Sequence, residues 1–279
     1  MAVLTAEEKR TVRKNIIGVA EKKLVARKIL APNNVDKGAQ EFGYDKLTDM
    51  TDAEIISKFS PGSKDTLDLT RKAKGIPILH KGYSLSRIDM FSSRRLKSAS
   101  QDRATKKVSI KEDDLIINGD STYGIDGLAD VYNNAVTAGQ NWGSGTFTDA
   151  QNPYQDIINL KATIEADGFD CKFVMMHPTN AGEARKKVSN AAGTWMEMIK
   201  EEVPNILVTT AVSEGTVFGG DIGADIAELV IAEEFKLLDP NNADQMVFDF
   251  DIIDRVLPMY YEYGDTTGKS DAFGAITGA

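Results

Sequence analysis

Residues 98–128 read SASQDRATKKVSIKEDDLIINGDSTYGIDGL, and the reading of the whole chain turns on them. Ser98 with Gln101 makes a capping pair. Ala104, Val108, Lys111 and Leu115 then recur at helical spacing, and Ile116 and Ile117 close the run. Gly119 is placed to stop the helix. Three glycines, Gly119, Gly124 and Gly127, follow before Leu128. The pattern predicts a long helix, a glycine stop and a turn-rich change of direction.

On the N-terminal side, residues 66–91 read as two strands. Their apolar positions are Thr66, Leu67 and Leu69, then Ile76, Ile78 and Leu79, then Tyr83, Leu85 and Ile88. Basic and glycine residues interrupt them, so an extended hairpin is expected. Such a hairpin is marginal alone and rests on something else. Upstream, residues 35–65 are mixed, with a short helix start at Thr51–Glu54 and a turn at Ser60–Ser63. At the start, Thr5 with Glu8 fits a capping box. Val12, Ile16, Val19, Ala20 and Leu24 form an apolar stripe, and Ala31–Asn34 ends that helix. Eight bases flank the stripe: Lys9, Arg10, Arg13, Lys14, Lys22, Lys23, Arg27 and Lys28. The helix either packs on its own core or is an arm facing another subunit or nucleic acid.

On the C-terminal side, residues 133–152 read as a polar loop. Asn152-Pro153 starts a helix with Ile157, Leu160 and Ile164 inward and Gly168 as its stop. Residues 172–176 are a buried strand, and His177–Asn180 turns into a helix over roughly residues 181–202. Strands are expected at 206–212 and 227–233. Residues 247–263 form a β-ribbon with one wet face, because Phe248, Phe250 and Ile252 alternate with Asp249, Asp251 and Ile253. The tail from Gly264 is expected to be loose. No repeat or clean linker divides the chain, so the class is α+β built from interleaved segments.

The chain has 279 residues, 42 % apolar and 27 % charged, which excludes a disordered chain or a fibre. One cysteine, Cys171, forbids an intrachain disulfide, and two histidines forbid a histidine-rich metal site. No apolar run approaches the roughly 20 residues of a membrane span. The opening MAVLTAEEKR lacks the apolar core of a signal peptide, which predicts a cytoplasmic chain. The net charge of −9 is unevenly spread. Residues 1–111 carry 24 Lys+Arg against 13 Asp+Glu, and residues 112–279 carry 9 against 29. A basic and an acidic side facing different partners, one of them polyanionic, would explain it.

Catalytic signatures are missing. There is no P-loop, and Gly143-Ser144-Gly145 fails the nucleophile-elbow spacing. Asp120, Asp126 and Asp130 lack calcium-loop spacing, and residues 239–250 place Phe250 where a bidentate Glu belongs. His177 has no Cys partner at catalytic or metal spacing, and Thr179 or Asn180 as a cap explains its turn. No enzyme, cofactor or metal is expected. An enzyme with a site around His177 and Asp170 is the remote alternative.

The order of elements resembles the Hong Kong 97 fold, shared by tailed-virus major capsid proteins and encapsulin shell proteins. The local match is Lys111–Gly119 followed by Gly124-Ile125-Asp126-Gly127-Leu128, with Phe173–Met176, His177-Pro178-Thr179 and the final β-ribbon in order. The resemblance implies an N-terminal arm at 1–34, a connecting segment at 35–59 and an E-loop at 60–88. It implies a P-domain with the spine helix at 89–122 and the start of the A-domain at 123–152. A P-domain helix would follow at 153–168, more A-domain at 169–240, and the P-domain β-ribbon and tail at 241–279. The E-loop side chains Lys64, Arg71, Lys72, Lys74, Ile76 and Ile78 would lie against a neighbouring subunit. The chain would assemble with itself into the pentamers and hexamers of an icosahedral shell.

The charge separates two versions of that reading. A shell around double-stranded DNA benefits from basic residues on its inner side. The eight bases of residues 9–28, with Arg94, Arg95, Lys97, Arg103, Lys106, Lys107 and Lys111 on the spine, favour a tailed-virus or proviral capsid protein. It would be assembled in a host cytoplasm, residing in the virion, with portal, scaffold or decoration proteins as further partners and no membrane. The alternative is an encapsulin-type compartment enclosing protein cargo, whose N-terminal helix region would form an apolar cargo groove.

Overall fold

The computed structural model describes residues 16, 18–20, 24–47, 64, 69–92, 94–144, 147–148, 151–187, 193–238, 241–244, 246–261 and 269–279. The expected features at Thr5–Glu8, Thr51–Glu54 and Ser60–Ser63 lie outside them. The strands are β1 (Ala31–Asn34), β2 (Glu41–Leu47), β3 (Leu69–Gly75), β4 (Leu79–Ser86), β5 (Tyr132–Thr137), β6 (Phe173–Met176), β7 (Asn205–Val208), β8 (Thr216–Gly220), β9 (Ala227–Leu237), β10 (Asn241–Asp244), β11 (Val247–Tyr260) and β12 (Ser270–Thr277). The helices are α1 (Arg87–Ser92), α2 (Arg94–Asn118), α3 (Leu128–Val131), α4 (Pro153–Ala166), α5 (Pro178–Ala184) and α6 (Trp195–Glu202).

Two sheets share one apolar core. The first runs β1-β9-β11-β10, with β4 also on β11; the second runs β5-β12-β8-β6-β7. The spine helix α2 packs on the first sheet, against β4 and β11. Its Ala104, Val108, Leu115, Ile116 and Ile117 share a buried cluster with Val256, Leu257 and Met259 of β11 and with Phe173 and Phe273 of the second sheet. Tyr260 donates from its hydroxyl to the Ile116 carbonyl at 2.7 Å and meets Phe273 edge-on. The inner face of α2 also carries Thr105 and Ser109, whose hydroxyls bond carbonyls four residues back. That bonding satisfies them without breaking the helix. A second cluster packs α4 against the far sheet through Ile157, Leu160, Ile164, Val174, Val217 and Ile276.

Several expectations need correction. The hairpin expected over residues 66–91 does not form. β3 pairs with β2, Glu41 opposite Gly75 to Leu47 opposite Leu69, while β4 joins β11. Pro77, which has no N–H to give, separates the two strands. The tail, expected to be loose, is ordered from Lys269 onward: β12 is an interior strand with Ala272, Phe273, Ala275 and Ile276 fully buried. Helix α4, expected among P-domain elements, packs on β5 and β12 of the second sheet. The helix expected over 181–202 is two, α5 and α6, with Lys187 bridging Thr194 between them. Residues 133–137, expected in a loop, belong to β5, and Ala31–Asn34, expected as a helix stop, forms β1 parallel to β9. β8 was not anticipated. Lys111 faces solvent, and Glu112 takes the buried position after Val108.

The stop after α2 behaves as read. Gly119 has φ +67°. Gly127 crosses so close that a Cβ on Gly119 would stand 2.5 Å from the Gly127 nitrogen and from the Ile125 carbonyl oxygen. Two backbones share one space there, which only paired glycines allow. Gly127→Ala should therefore cost about 2–3 kcal/mol of stability. Urea unfolding of the variant beside the native chain measures it, with helical Gly182→Ala, whose Cβ meets nothing within 4 Å, as a control that should lose no stability and gain up to about 1 kcal/mol.

Candidate functional site

The acidic run after the spine's midpoint holds the N-terminal segment. Residues 26–29 make one 3₁₀ turn that leads into β1. Asp113 receives the backbone N–H groups that open this turn, Ala26 at 3.1 Å and Val25 at 3.2 Å. Arg27 points inward beside them. Its guanidinium grips Glu112 with two N–H groups, Nη2 reaching Oε2 at 3.2 Å. The same Nη2 lies 3.5 Å from Asp254 Oδ2 on β11. The guanidinium carbon sits 5.6 Å from the centre of the Phe235 ring on β9. Glu112 and Asp254 are fully buried and Asp113 nearly so. Burial pushes the Asp113 carboxyl up to about 6, although the Ala26 and Val25 amides pull the other way. Burial, then the neighbouring Glu112 carboxylate, drives Asp254 far above the usual carboxylate range.

This placement revises the candidate basic residues. Arg27 is turned into the core and is removed from the expected DNA-facing set. Lys28 is exposed, while Lys9, Arg10, Arg13, Lys14, Lys22 and Lys23 lie outside the described residues. Ile16, Ala20 and Leu24 are buried, so this stripe packs on the chain's own core. Arg103, Lys106, Lys107 and Lys111 form an exposed basic row on the spine helix.

Among the described residues the β2–β3 ribbon is fixed at its root. The Arg255 guanidinium donates to the Lys37 carbonyl at 2.6 Å and the Ala39 carbonyl at 2.5 Å. The Ile76 amide donates to the Gln40 carbonyl at 2.8 Å, so the two strands leave the body side by side. Lys74 pairs with Asp126 of the glycine turn at 2.5 Å, and Tyr44 meets Tyr261 edge-on. Of the candidate E-loop residues, Ile76 is buried in the body, Lys74 is half-buried, and Lys64, Arg71 and Lys72 are exposed. Ile78, 61 % exposed, presents an apolar side chain to solvent.

The remote catalytic pair does not assemble. Asp170 and His177 stand at opposite ends of β6, which spans about 13 Å. His177 is itself the cap of α5, its Nδ1 accepting from the Thr179 amide at 3.3 Å. It takes the capping place expected of Thr179 or Asn180. Asn180 instead accepts from the Gly215 amide. Burial pushes the Cys171 thiol up to about 11, so it is a packed thiol without thiolate character. Among the described residues no cluster of three metal-binding side chains occurs, and no helix is long and apolar enough to cross a membrane.

The layers, the spine helix and the ribbon define a Hong Kong 97-type shell protein. Solved structures agree on that fold. A capsid of Myoviridae phage XM1 aligns with a TM-score of 0.70 at 16 % identity over 90 % of each chain. The capsid of a native GTA particle gives 0.69 at 15 % identity over 91 % of this chain and 90 % of that one. A virus-like particle from Pyrococcus furiosus gives 0.65 at 13 % identity over 96 % and 98 %. No curated protein sequence matches. The family model for Linocin_M18, described as an encapsulating protein for peroxidase, matches residues 1–238, and the chain belongs to that family.

Two outcomes follow from the charge cluster. Arg27→Ala strands buried Glu112 and Asp254 without their cation and should cost about 3–5 kcal/mol in denaturant unfolding. Asp113 carries a folded value near 6, above its unfolded one, so its contribution is full at low pH and is lost as pH rises through that value. The stability difference between the native chain and Asp113→Asn should therefore shrink between about pH 4 and pH 7 when unfolding is measured at each.

Proposed function

We propose that this chain is the repeating subunit of a closed icosahedral shell, built as pentamers and hexamers of itself, and that it serves as the major capsid protein of a tailed virus or provirus enclosing double-stranded DNA. The ribbon carries the assembly reading. Among the described residues this two-stranded sheet is tied at its root and its outer edges have no strand partner, which leaves it little core of its own. A neighbouring copy supplies both. In this reading β2–β3 is the E-loop strap. The first sheet with α2 is the P-domain, and the second sheet with α4 to α6 is the A-domain.

The basic row Arg103, Lys106, Lys107 and Lys111 supports DNA as the content, since phosphate contacts need only exposed cations in number. The family description supports a second reading, a compartment enclosing protein cargo. Portal, scaffold or decoration proteins are further partners of the first reading only. No catalytic role is assigned.

Electron microscopy of the full chain expressed alone tests assembly, and closed shells are expected. Small soluble oligomers at every salt concentration would overturn the reading. Nuclease-protected double-stranded DNA in particles from the native source favours the capsid version; protected protein without DNA favours the compartment. The strap is tested by excising residues 41–75 and joining Gln40 to Ile76 through a short glycine linker. Those two residues already lie within one hydrogen bond. The shortened chain should keep its circular dichroism and lose closed shells; normal shells from it would sink the strap.

A further inference from the structure

The charge count around Arg27 does not balance. One guanidinium faces three buried carboxyls, Glu112 and Asp113 from α2 and Asp254 from β11. Asp113 is satisfied by the two backbone amides of the 3₁₀ turn and uses little of the cation. Glu112 takes both arms of the fork. Asp254 keeps only the long 3.5 Å approach to Nη2, and its Oδ1 is buried with no hydrogen-bond partner. Glu112 Oε2 and Asp254 Oδ2 converge on the same nitrogen, Arg27 Nη2, at 3.2 and 3.5 Å, so the two buried carboxyls face one another across a single N–H donor group. An ionised carboxylate left with so little cation in low dielectric is costly, and a proton on Asp254 removes that cost.

We propose that Arg27, Glu112 and Asp254 form a proton-dependent latch, which fastens residues 24–34 to the spine helix while Asp254 holds its proton and releases them when that proton is withdrawn. The latch stands on the subunit alone and does not depend on the shell reading. The other charges facing it are few. Glu234 on β9 is exposed but adds negative potential to both Arg27 and Asp254. Lys106 on α2 is exposed and borders the groove beside Asp113. Phe235 closes the remaining side of the guanidinium with its ring. No second buried cation balances the carboxyls among the described residues.

The direction of the switch follows from linkage. A carboxyl held above its unfolded value binds its proton more tightly in the fastened state, so fastening weakens as pH rises. The latch therefore opens towards alkaline pH and stays shut in mild acid, the reverse of an ordinary ion pair, which acid breaks. Burial and Glu112 both hold the Asp254 proton in place, which agrees with this sign. The freed segment carries β1, the edge strand paired with β9 through Ala31–Asn34. It takes with it Ile29 and Leu30 from the core.

Hydrogen exchange on the full-length protein, followed by mass spectrometry and corrected for intrinsic rates, reads the latch directly. In the native chain the opening of residues 24–34 should rise from pH 7 to pH 9, above the Asp113 titration near 6, by up to about tenfold per unit once the Asp254 proton begins to leave. The peptide of α4, residues 153–166, should stay unchanged. Asp254→Asn, which cannot ionise, should flatten the profile. Glu112→Gln tests the same pair from the other side: it leaves Arg27 to Asp254 alone and should also flatten it. A flat native profile would overturn the latch, as would an unchanged slope in whichever variant folds. An α4 peptide that opens in parallel would overturn it too, because the transition would then be global.

Discussion

One guanidinium among buried carboxylates couples three distant parts of this chain. Arg27 lies 85 residues from Glu112 and 227 from Asp254, yet all three meet in one desolvated place. Taking such charges out of water costs several kcal/mol each, and only mutual contact offsets that. Neither the N-terminal segment nor β11 can therefore leave α2 without exposing an unmatched buried charge. Apolar contacts alone would let these elements slide over one another. The paired groups fix their register, in the way buried polar groups are known to select one arrangement among several of similar burial. β1 follows Arg27 by four residues, so fixing that side chain also fixes where the edge of the first sheet begins.

At the other end of α2 the constraint is steric rather than electrostatic. Gly119 and Gly127 let the chain cross itself immediately after the helix, and the Asp120–Ile125 bridge closes the loop between them. Leu128 and Val131 are thereby delivered into the core before β5 starts the second sheet. The same loop presents Asp126 to Lys74, so the crossing also steadies the root of the ribbon. The spine helix thus carries both fastenings: charge holds what comes before it, and close backbone contact directs what comes after.

The parts of this fold that were legible in sequence are those written in local periodicity. The α4 helix has Asn152 as its cap, bonded to the Gln155 amide, and Gly168 at φ +87° as its stop, as the spacing demanded. The alternation of β11 is likewise correct, with Phe248, Phe250 and Ile252 inward. What failed was non-local. β3 reads LTRKAKG, with no alternation to declare a face, and its partner β2 lies more than twenty residues upstream. β12 is Ser, Ala and Gly in large part, a composition that resembles a loose tail until the flat face of α4 covers it. Leu160 of α4 approaches Gly274 so closely that any side chain there would collide.

The cluster around Arg27 was missed for a different reason, although its signal is present. Asp254 falls in phase with Phe248, Phe250 and Ile252, and so on the buried face of β11. Glu112 follows Ala104 and Val108 at four-residue steps, and so on the buried face of α2. Periodicity allows both carboxylates inside, whereas the expected face ran from Val108 through Lys111, an equally helical step, and the prior against buried charge speaks against either residue. The prior is sound for isolated charges and fails for compensated ones. Two acids in phase with core positions on different elements, in a chain with a surplus of bases near its start, together specify a buried cation. Among the described basic residues of the first 34, Arg27 meets that need and Lys28 does not, because a planar fork can serve two carboxylates where a single ammonium on an exposed stem cannot.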